Sequence, residues 1–507
     1  MKATRILSLI LALIMLCSTF LFACGKDDAD KKGDGSDVVI NTEAEDESKK
    51  YDAKIVNLNG HVFRFLTRGT NASSHLATHA VYAEAPNGYK VNDAVYTRNA
   101  QLAEKYNCTI EEERHSNPGA DARESLIAGD YIADFIMGTA YQTRSLASAG
   151  LLVDIASLDN IDLTKAWWDQ RSMNGMNVGG KIFFVTGDAC TLDDRAAWIM
   201  YFNKDWIEEY DASLNLYDEV RKGTWTVDLM AKLMTETAKD LDGDGQVATI
   251  GKDRFGYYGE RGNNWFHVAA CNVTVSKISP SGDIEIPFQP TQELLTAWEA
   301  VKGIVASPVR VVSDSSGAFK NGLSTFFCCN VGTMLNAGST TISQGFLPLP
   351  KLNAEQENYH TSVSYIQLGS YCIPYTVENA EDWETNGFTS GAEQCAYFLE
   401  AFAYYSMNIL TPAFYDQVIL KQAVRDADSA EMVQIALANK IYDPVIGYSF
   451  GSLSEAFKEC GSPNGAGAVG SDAAYDTFVS TYDKRYTAAR KALQDYIKYV
   501  NAEDNVA

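Results

Sequence analysis

Ala133-Asp134-Phe135-Ile136-Met137-Gly138 opens the stretch, Tyr131 to Tyr210, whose reading decides the fold. The apolar run bounded by glycine has the length of a buried strand, and Arg144 to Leu152, with Gly150 near its end, has helical spacing. Lys181-Ile182-Phe183-Phe184-Val185 predicts a second buried strand. Ala197-Trp198-Ile199-Met200-Tyr201-Phe202 predicts a third, closed by Asn203-Lys204-Asp205 and a helical start at Trp206-Ile207-Glu208-Glu209. Upstream, Ile55 to Leu66, the amphipathic segment from Val91 to Lys105 and Cys108-Thr109-Ile110-Glu111 read as a βαβ opening. Alternating strands and helices make this an α/β chain. A length of 507 residues exceeds what one hydrophobic core supports and predicts two lobes.

The order ADFIMGT (133–139), SLASAGLLVDIASL (145–158), WWDQ (167–170), GGKIFFVTGD (179–188) and YFNKDWIEE (201–209) resembles the extracellular solute-binding proteins of the maltose-binding type, the receptors of ABC sugar importers. GTWTVDLMAKLMTETAKDLDGDG (223–245), the segment from Ala318 to Phe327 and Pro348-Leu349-Pro350-Lys351 continue the likeness. The resemblance implies a two-lobe periplasmic-binding-protein-like fold of type II, with lobes joined by a multi-strand hinge. Lobe I is then expected at 51–187 and 346–408, lobe II at 188–345 and 409–507, with crossings at 185–190, near 345 and near 408.

It also implies that ligand lies between the lobes. A neutral, hydroxyl-rich ligand calls for aromatic faces and for Asp, Asn and Arg at the edges. The resemblance places contacts at Tyr141 and Gln142 after the first-lobe strand, at Asp188 with Arg195 nearby at the crossing, at Trp265 and Asn330 in lobe II, and at Tyr448 in a late loop. Trp167, Trp168, Trp198 and Trp225 fall within or beside predicted elements and are expected in the packing.

Residues 1–24 read as a leader: Lys2 and Arg5 precede an uncharged run, and Leu21-Phe22-Ala23-Cys24-Gly25 resembles a bacterial lipoprotein signal in which Cys24 is acylated. Residues 25–50 hold nine acids, five lysines and no aromatic, the composition of a disordered acidic tether. The protein is therefore expected on the extracellular face of the cell membrane, lipid-anchored, as a monomer. A net charge of −24 repels phosphate backbones, so nucleic acid is excluded as a partner. Eight cysteines beyond Cys17 and Cys24 are spread without a C-x-x-C pair and read as buried thiols.

Asp240-Leu241-Asp242-Gly243-Asp244-Gly245-Gln246 alternates carboxylates as a Ca²⁺ loop does, with Gln246 offering a carbonyl. An EF-hand would place Glu where Gly251 stands; the nearest acid is Asp253, so the site is incomplete, closed by Asp253 or filled with water. The ion would be structural, and no cofactor is required.

Gly447-Tyr448-Ser449-Phe450-Gly451 fits a nucleophile elbow, but all six histidines precede Ser449, against the order a hydrolase needs. Gly465 to Gly470 fits G-x-G-x-x-G without a preceding strand, and His75 and His79 lack the Glu of a zinc protease. The leading expectation is a receptor, not an enzyme, that captures a sugar or oligosaccharide for an ABC permease. A secreted glycosidase, which needs only two spaced carboxylates, is the other class. A receptor for peptides or other solutes on the same fold is the third.

Overall fold

A computed structural model describes residues 46–69, 80–247, 249–260, 263–279, 281–313, 316–336, 342–364, 366–380, 382–417, 426–459 and 475–502. Cys24 and its leader, nearly all of the tether, His75, His79 and the Gly465–Gly470 run lie outside these residues. Ser48–Ala507 form one compact unit that contains both sheets. Among the described residues no helix is long and apolar enough to cross a membrane.

The first sheet starts at β1 (His61–Arg68), where Phe63 and Phe65 alternate inward and Phe63 stacks on Phe398 with ring centroids 3.7 Å apart. Helix α1 (Lys90–Tyr106) then leads, through Asn107 in the left-handed region at φ 50°, into β2 (Cys108–His115). That right-sized crossover makes β1 and β2 parallel, and β3 (Phe135–Thr139), buried throughout, runs parallel to β1 on its other side. At the end of β3, Thr139 accepts a hydrogen bond from the Gln142 backbone N–H (3.2 Å) and Gln142 Oε1 accepts one from Thr139 N–H (3.3 Å). This reciprocal cap starts α2 (Ala140–Ala147) four residues earlier than spacing alone predicts.

The strand expected at Lys181–Val185 does not form. Ile182 spends its N–H on the Asp154 carboxylate (3.0 Å) and its carbonyl on Ile155 N–H (2.8 Å), leaving only Val185 to exchange hydrogen bonds with Tyr371. Gly187, at φ 150°, passes so close to the 167–169 backbone that a Cβ would sit 2.3 Å from the Trp167 carbonyl oxygen. The chain then turns through the short helix α3 (Leu192–Arg195) into β4 (Trp198–Asn203), an unbroken buried run.

The second sheet adds β5 (Phe255–Gly259), β6 (Arg310–Val312), β7 (Ser324–Asn330) and β8 (Gln344–Leu347) in the order β8-β4-β7-β5-β6. Strands β5, β6 and β7 are mutually parallel, with β4 antiparallel to β7 and β8 antiparallel to β4. Helix α4 (Val227–Glu236), capped by Thr226, packs beneath this sheet through Met230, Leu233 and Met234. Helix α5 (Asn263–Ala270) follows β5, and α6 (Val331–Asn336) follows β7.

The return to the first sheet lies later than the expected crossing near 345. Residue pairing holds the chain to the second half beyond β8: Lys351 exchanges backbone hydrogen bonds with Trp225 and Val227, and Val363 bridges to Ala197. Only at β9 (Gly369–Cys372) does it rejoin β3, giving the first sheet its order β9-β3-β1-β2. The crossing therefore runs through 364–369. The last crossing is made by α7 (Gly391–Gln417), whose Phe398 and Phe402 belong to the first core and whose Phe414 belongs to the second. The C-terminal helix α8 (Tyr475–Ala502) packs through Phe478, Tyr482 and Tyr486 on the large core that also takes Tyr448 and Phe450. Trp167, Trp168, Trp198 and Trp225 are all buried. Seven cysteines among the described residues are free thiols, six of them buried.

Candidate functional site

Both sheets turn their carboxyl edges toward one short run of chain. In the first sheet Thr139, the last residue of β3, pairs with Gly369. In the second, Asn330 at the end of β7 pairs with Trp198, and the preceding Ala197 bridges to Val363. Five residues of sequence thus separate Val363 at one edge from Gly369 at the other. A crevice outside the carboxyl ends of strands is where open α/β sheets bind ligands, because loops and helix starts offer unpaired polar groups there.

Three hydrogen-bond donors stand at this crevice. Arg68 ends β1 and gives one Nη1 hydrogen bond to the Ile366 carbonyl (3.1 Å), while its buried Nε has no partner. Arg195 ends α3 at 8 % exposure, with its Nε likewise buried and unpartnered. Burial holds both guanidiniums below the usual arginine range. Asn330 caps α6: its Oδ1 accepts from the Thr333 backbone N–H (3.0 Å) and hydroxyl (3.2 Å), and its amide NH₂ makes no hydrogen bond among the described residues. Arg195 and Asn330 flank Gly332, whose Cβ position would lie 3.2 Å from both the Arg195 carbonyl and Asn330 Oδ1.

Tyr141 sits in the first turn of α2, 46 % exposed, with the Arg144 guanidinium 4.5 Å over its ring. Gln142 is committed to the cap of α2 and to the Ser116 carbonyl (3.2 Å), so it supports Tyr141 and reaches nothing further.

Other expected contacts lie elsewhere. Trp265 is 4 % exposed, packs on Phe457 at 4.9 Å and donates its Nε1 hydrogen bond to Ser362 (3.2 Å); it is a core residue of α5 and no cleft wall. Tyr448 is 1 % exposed, packed on Phe450, Phe184 and Tyr496, and its hydroxyl donates to the Met176 carbonyl (3.0 Å). Only the Tyr448 backbone carbonyl faces outward enough to accept a hydrogen bond from Arg144. Ser449 sits in the left-handed region at φ 54° as part of this packed turn under α8.

Asp188 belongs to a different feature. It lines a cavity of about 200 Å³ at the crossing and accepts the Thr411 hydroxyl hydrogen bond (2.5 Å). Burial, opposed by that hydrogen bond, pushes its carboxyl up to about 6. Beside it the Lys440 ammonium contacts three carboxylates, Asp169 at 2.7 Å and Asp193 and Asp194 at 2.8 Å each. Asp169 also accepts from Tyr442 (2.8 Å) and Asp194 from Tyr415 (2.9 Å). This cluster ties the segment before residue 170, helix α3, the end of α7 and Lys440 into one hinge node. None of Arg68, Tyr141, Arg195 or Asn330 lines its cavity.

In the acidic loop, one oxygen from each of Asp240, Asp242 and Asp244 lies within 4.8 Å of the others. Gly243 and Gly245, at φ 78° and 88°, present their N–H groups to the Asp240 oxygens (2.6 and 2.7 Å), which folds the loop as a hard cation requires. Gln246 gives its N–H to Asp244 (2.8 Å), which leaves its carbonyl for a ligand. Asp253 is fully buried with its oxygens accepting from Leu241 N–H (3.1 Å) and Thr249 N–H (2.7 Å). It closes the loop through the backbone and is no ligand, so the donor set fits Ca²⁺ through Asp240, Asp242, Asp244 and Gln246, with water needed to complete the shell.

No protein-family model matches the chain, and a search of curated proteins gives no match. Among solved structures, a cyclo/maltodextrin-binding protein complexed with maltotetraose superposes with a TM-score of 0.52 at 13% identity, over 90% of this chain and 99% of that one. The chain has the two-lobe fold of the periplasmic binding proteins. Further solved structures are more distant. The GacH receptor of Streptomyces glaucescens, solved unliganded and with acarbose, has a TM-score of 0.46 at 11% identity over 87% of this chain and 99% of that one. An ABC substrate-binding protein of Listeria monocytogenes in complex with cycloalternan has 0.46 at 11%, over 88% and 100%.

Arg68 escaped the sequence reading. Its signal was present, since an arginine followed by Gly69 closes the first strand, where a charged residue is an expense to the sheet.

Proposed function

We propose that this protein is a lipid-anchored receptor, held through Cys24 on the extracellular face of the cell membrane, which captures a sugar or oligosaccharide in the inter-sheet crevice and delivers it to an ABC permease. The observation that carries the reading is the meeting of two carboxyl edges, lined by Arg68, Arg195, Asn330 and Tyr141, on a fold shared with a protein that was solved with maltotetraose bound. Donors fixed on strand and helix ends suit the hydroxyl and ring oxygens of a saccharide, and one exposed tyrosine face suits its C–H surface. The receptor works as a monomer and does no chemistry on its ligand. Calorimetric titration against a panel of oligosaccharides and peptides, followed by analysis of the recovered ligand, tests this. A saccharide bound and returned intact is expected; cleaved ends would make the protein a glycosidase, and binding of peptides alone would make it a peptide receptor.

The Asp240 loop is proposed to hold a structural Ca²⁺. An ion bound only by the folded state at a hundredfold excess over its Kd stabilises by about 2.7 kcal/mol. Chelator or Asp242→Ala should therefore lower the melting temperature without affecting saccharide affinity. A melting curve indifferent to calcium and chelator would refute the site.

A further inference from the structure

The described residues bury four arginines, and three of them give both terminal nitrogens to protein acceptors. Arg254 pairs with Glu209 at 2.9 Å. Arg98 spends its donors on Ser406, Asn99 and the Val81 carbonyl, with its guanidinium 3.8 Å over Phe402. Arg310 gives its Nη hydrogen bonds to the carbonyls of Val305, Gly259 and Glu260, and only its Nε lacks a partner. Among the described residues the Arg195 side chain makes neither a hydrogen bond nor an ion pair, and its Nε is buried. A chain with 66 acids and 42 bases has carboxylates to spare, yet this buried cation has none. Burying a charge without a partner is among the least favourable arrangements in a folded protein, and it is retained where a ligand completes it.

The second observation is independent. Arg68, from the other sheet, has no carboxylate partner either and keeps a buried Nε unpartnered. The same loop meets both elements: Arg68 binds the Ile366 carbonyl, and Ser364 N–H binds the carbonyl of Ala196, next to Arg195. Asn330 adds a third donor beside Arg195. The acids nearest Arg68 along the sheet are already engaged, Glu112 by Arg114 (2.8 Å) and the Thr67 hydroxyl (2.7 Å), and Glu113 by His115 (3.0 Å).

From this excess of donors we infer that the ligand is an acidic saccharide, whose carboxylate or sulfate lies between Arg195 and Arg68. This rests on the carbohydrate reading above and narrows it. A planar guanidinium matches either group through paired N–H hydrogen bonds, and the charge of the ligand supplies what the fold withholds.

Titration of the full chain with four probes tests it: an oligogalacturonate, the same oligomer fully methyl-esterified, a sulfated carrageenan oligosaccharide without carboxylates, and maltotetraose. One of the two charged probes should bind at least tenfold more tightly than both neutral ones, and which of them does so distinguishes carboxylate from sulfate. Arg195→Gln should weaken that binding roughly hundredfold, with Arg195→Lys recovering part of it. Because the substitution removes an unpaired buried charge, the melting temperature of the ligand-free protein should hold or rise. Arg68→Gln, at a less buried position, should lower the same affinity if the first variant misfolds. Equal binding of neutral and charged probes overturns the inference and leaves the sugar receptor standing. So does a thermal shift with inorganic phosphate alone that matches the charged probe. Failure of all four probes counts against this inference, and failure of the wider oligosaccharide panel as well removes the carbohydrate reading itself.

Discussion

Lys440→Met should cost about 3–5 kcal/mol of stability at neutral pH, because removing one partner from a buried ion cluster leaves the others uncompensated. Methionine keeps the length of the side chain, so the loss is electrostatic and not a matter of volume. Among the described residues Lys440 is the one cation paired with Asp169, Asp193 and Asp194, all of them with little exposed side chain. Burial pushes the Asp193 carboxyl up, and the neighbouring carboxylates add to that against Lys440. Asp169 is shifted the other way: Lys440 and backbone N–H groups outweigh its burial and hold its carboxyl below the ordinary range. A depressed folded-state pKa contributes stability above the unfolded value, about 3.9 for Asp, and loses it as pH falls through the folded one. The gap between Lys440→Met and the parent should therefore be widest near neutrality and narrow below about pH 4, where protonation neutralises the orphaned acids. Chemical denaturation at several pH values checks both parts. A variant as stable as the parent at pH 7 would mean that water, not Lys440, satisfies these carboxylates.

Trp265→Ala should also cost about 3–5 kcal/mol, the usual range for deleting a buried aromatic and leaving a cavity. Its indole fills the space between α5 and Phe457, and its loss takes the hydrogen bond from Ser362, which pairs with Ile441 beside the hinge node. Tyr141→Ala, at an exposed position, should change stability by less than about 1 kcal/mol while weakening saccharide binding. If Trp265→Ala melts with the parent and loses only affinity, Trp265 lines the crevice after all.

Why Trp265 was misplaced shows what the sequence could reveal. Strands β1, β3 and β4 were legible because their apolar runs have the right length and punctuation, and the order of landmarks conveyed the two-lobe architecture. An aromatic residue carries no mark of whether its neighbours are water or Phe457, so Trp265 and Tyr448 were both assigned to a surface they do not reach. Asp188 after Gly187 reads as a carboxylate freed by a strand end. Its partner Thr411 is 223 positions away in sequence, and Lys440 comes from further still. Lys181–Val185 has the composition of a strand, but composition does not show that Asp154 and Ile155 take the backbone groups of Ile182. The resemblance puts the return crossing near 345, whereas antiparallel pairing of β8 to β4 and the contacts of Lys351 keep that segment with the second sheet. Tyr141, Arg195 and Asn330, which the resemblance names as contacts, stand at the start of α2, the end of α3 and the end of β7.

Small-angle X-ray scattering of the protein with and without a saturating saccharide tests the central claim most directly, since three crossings allow the two sheets to close around a ligand as a hinge. The radius of gyration should fall on binding, and it should fall less for Arg195→Gln at the same saccharide concentration. A saccharide shown by titration to saturate the protein while leaving the scattering curve unchanged would contradict capture between the lobes.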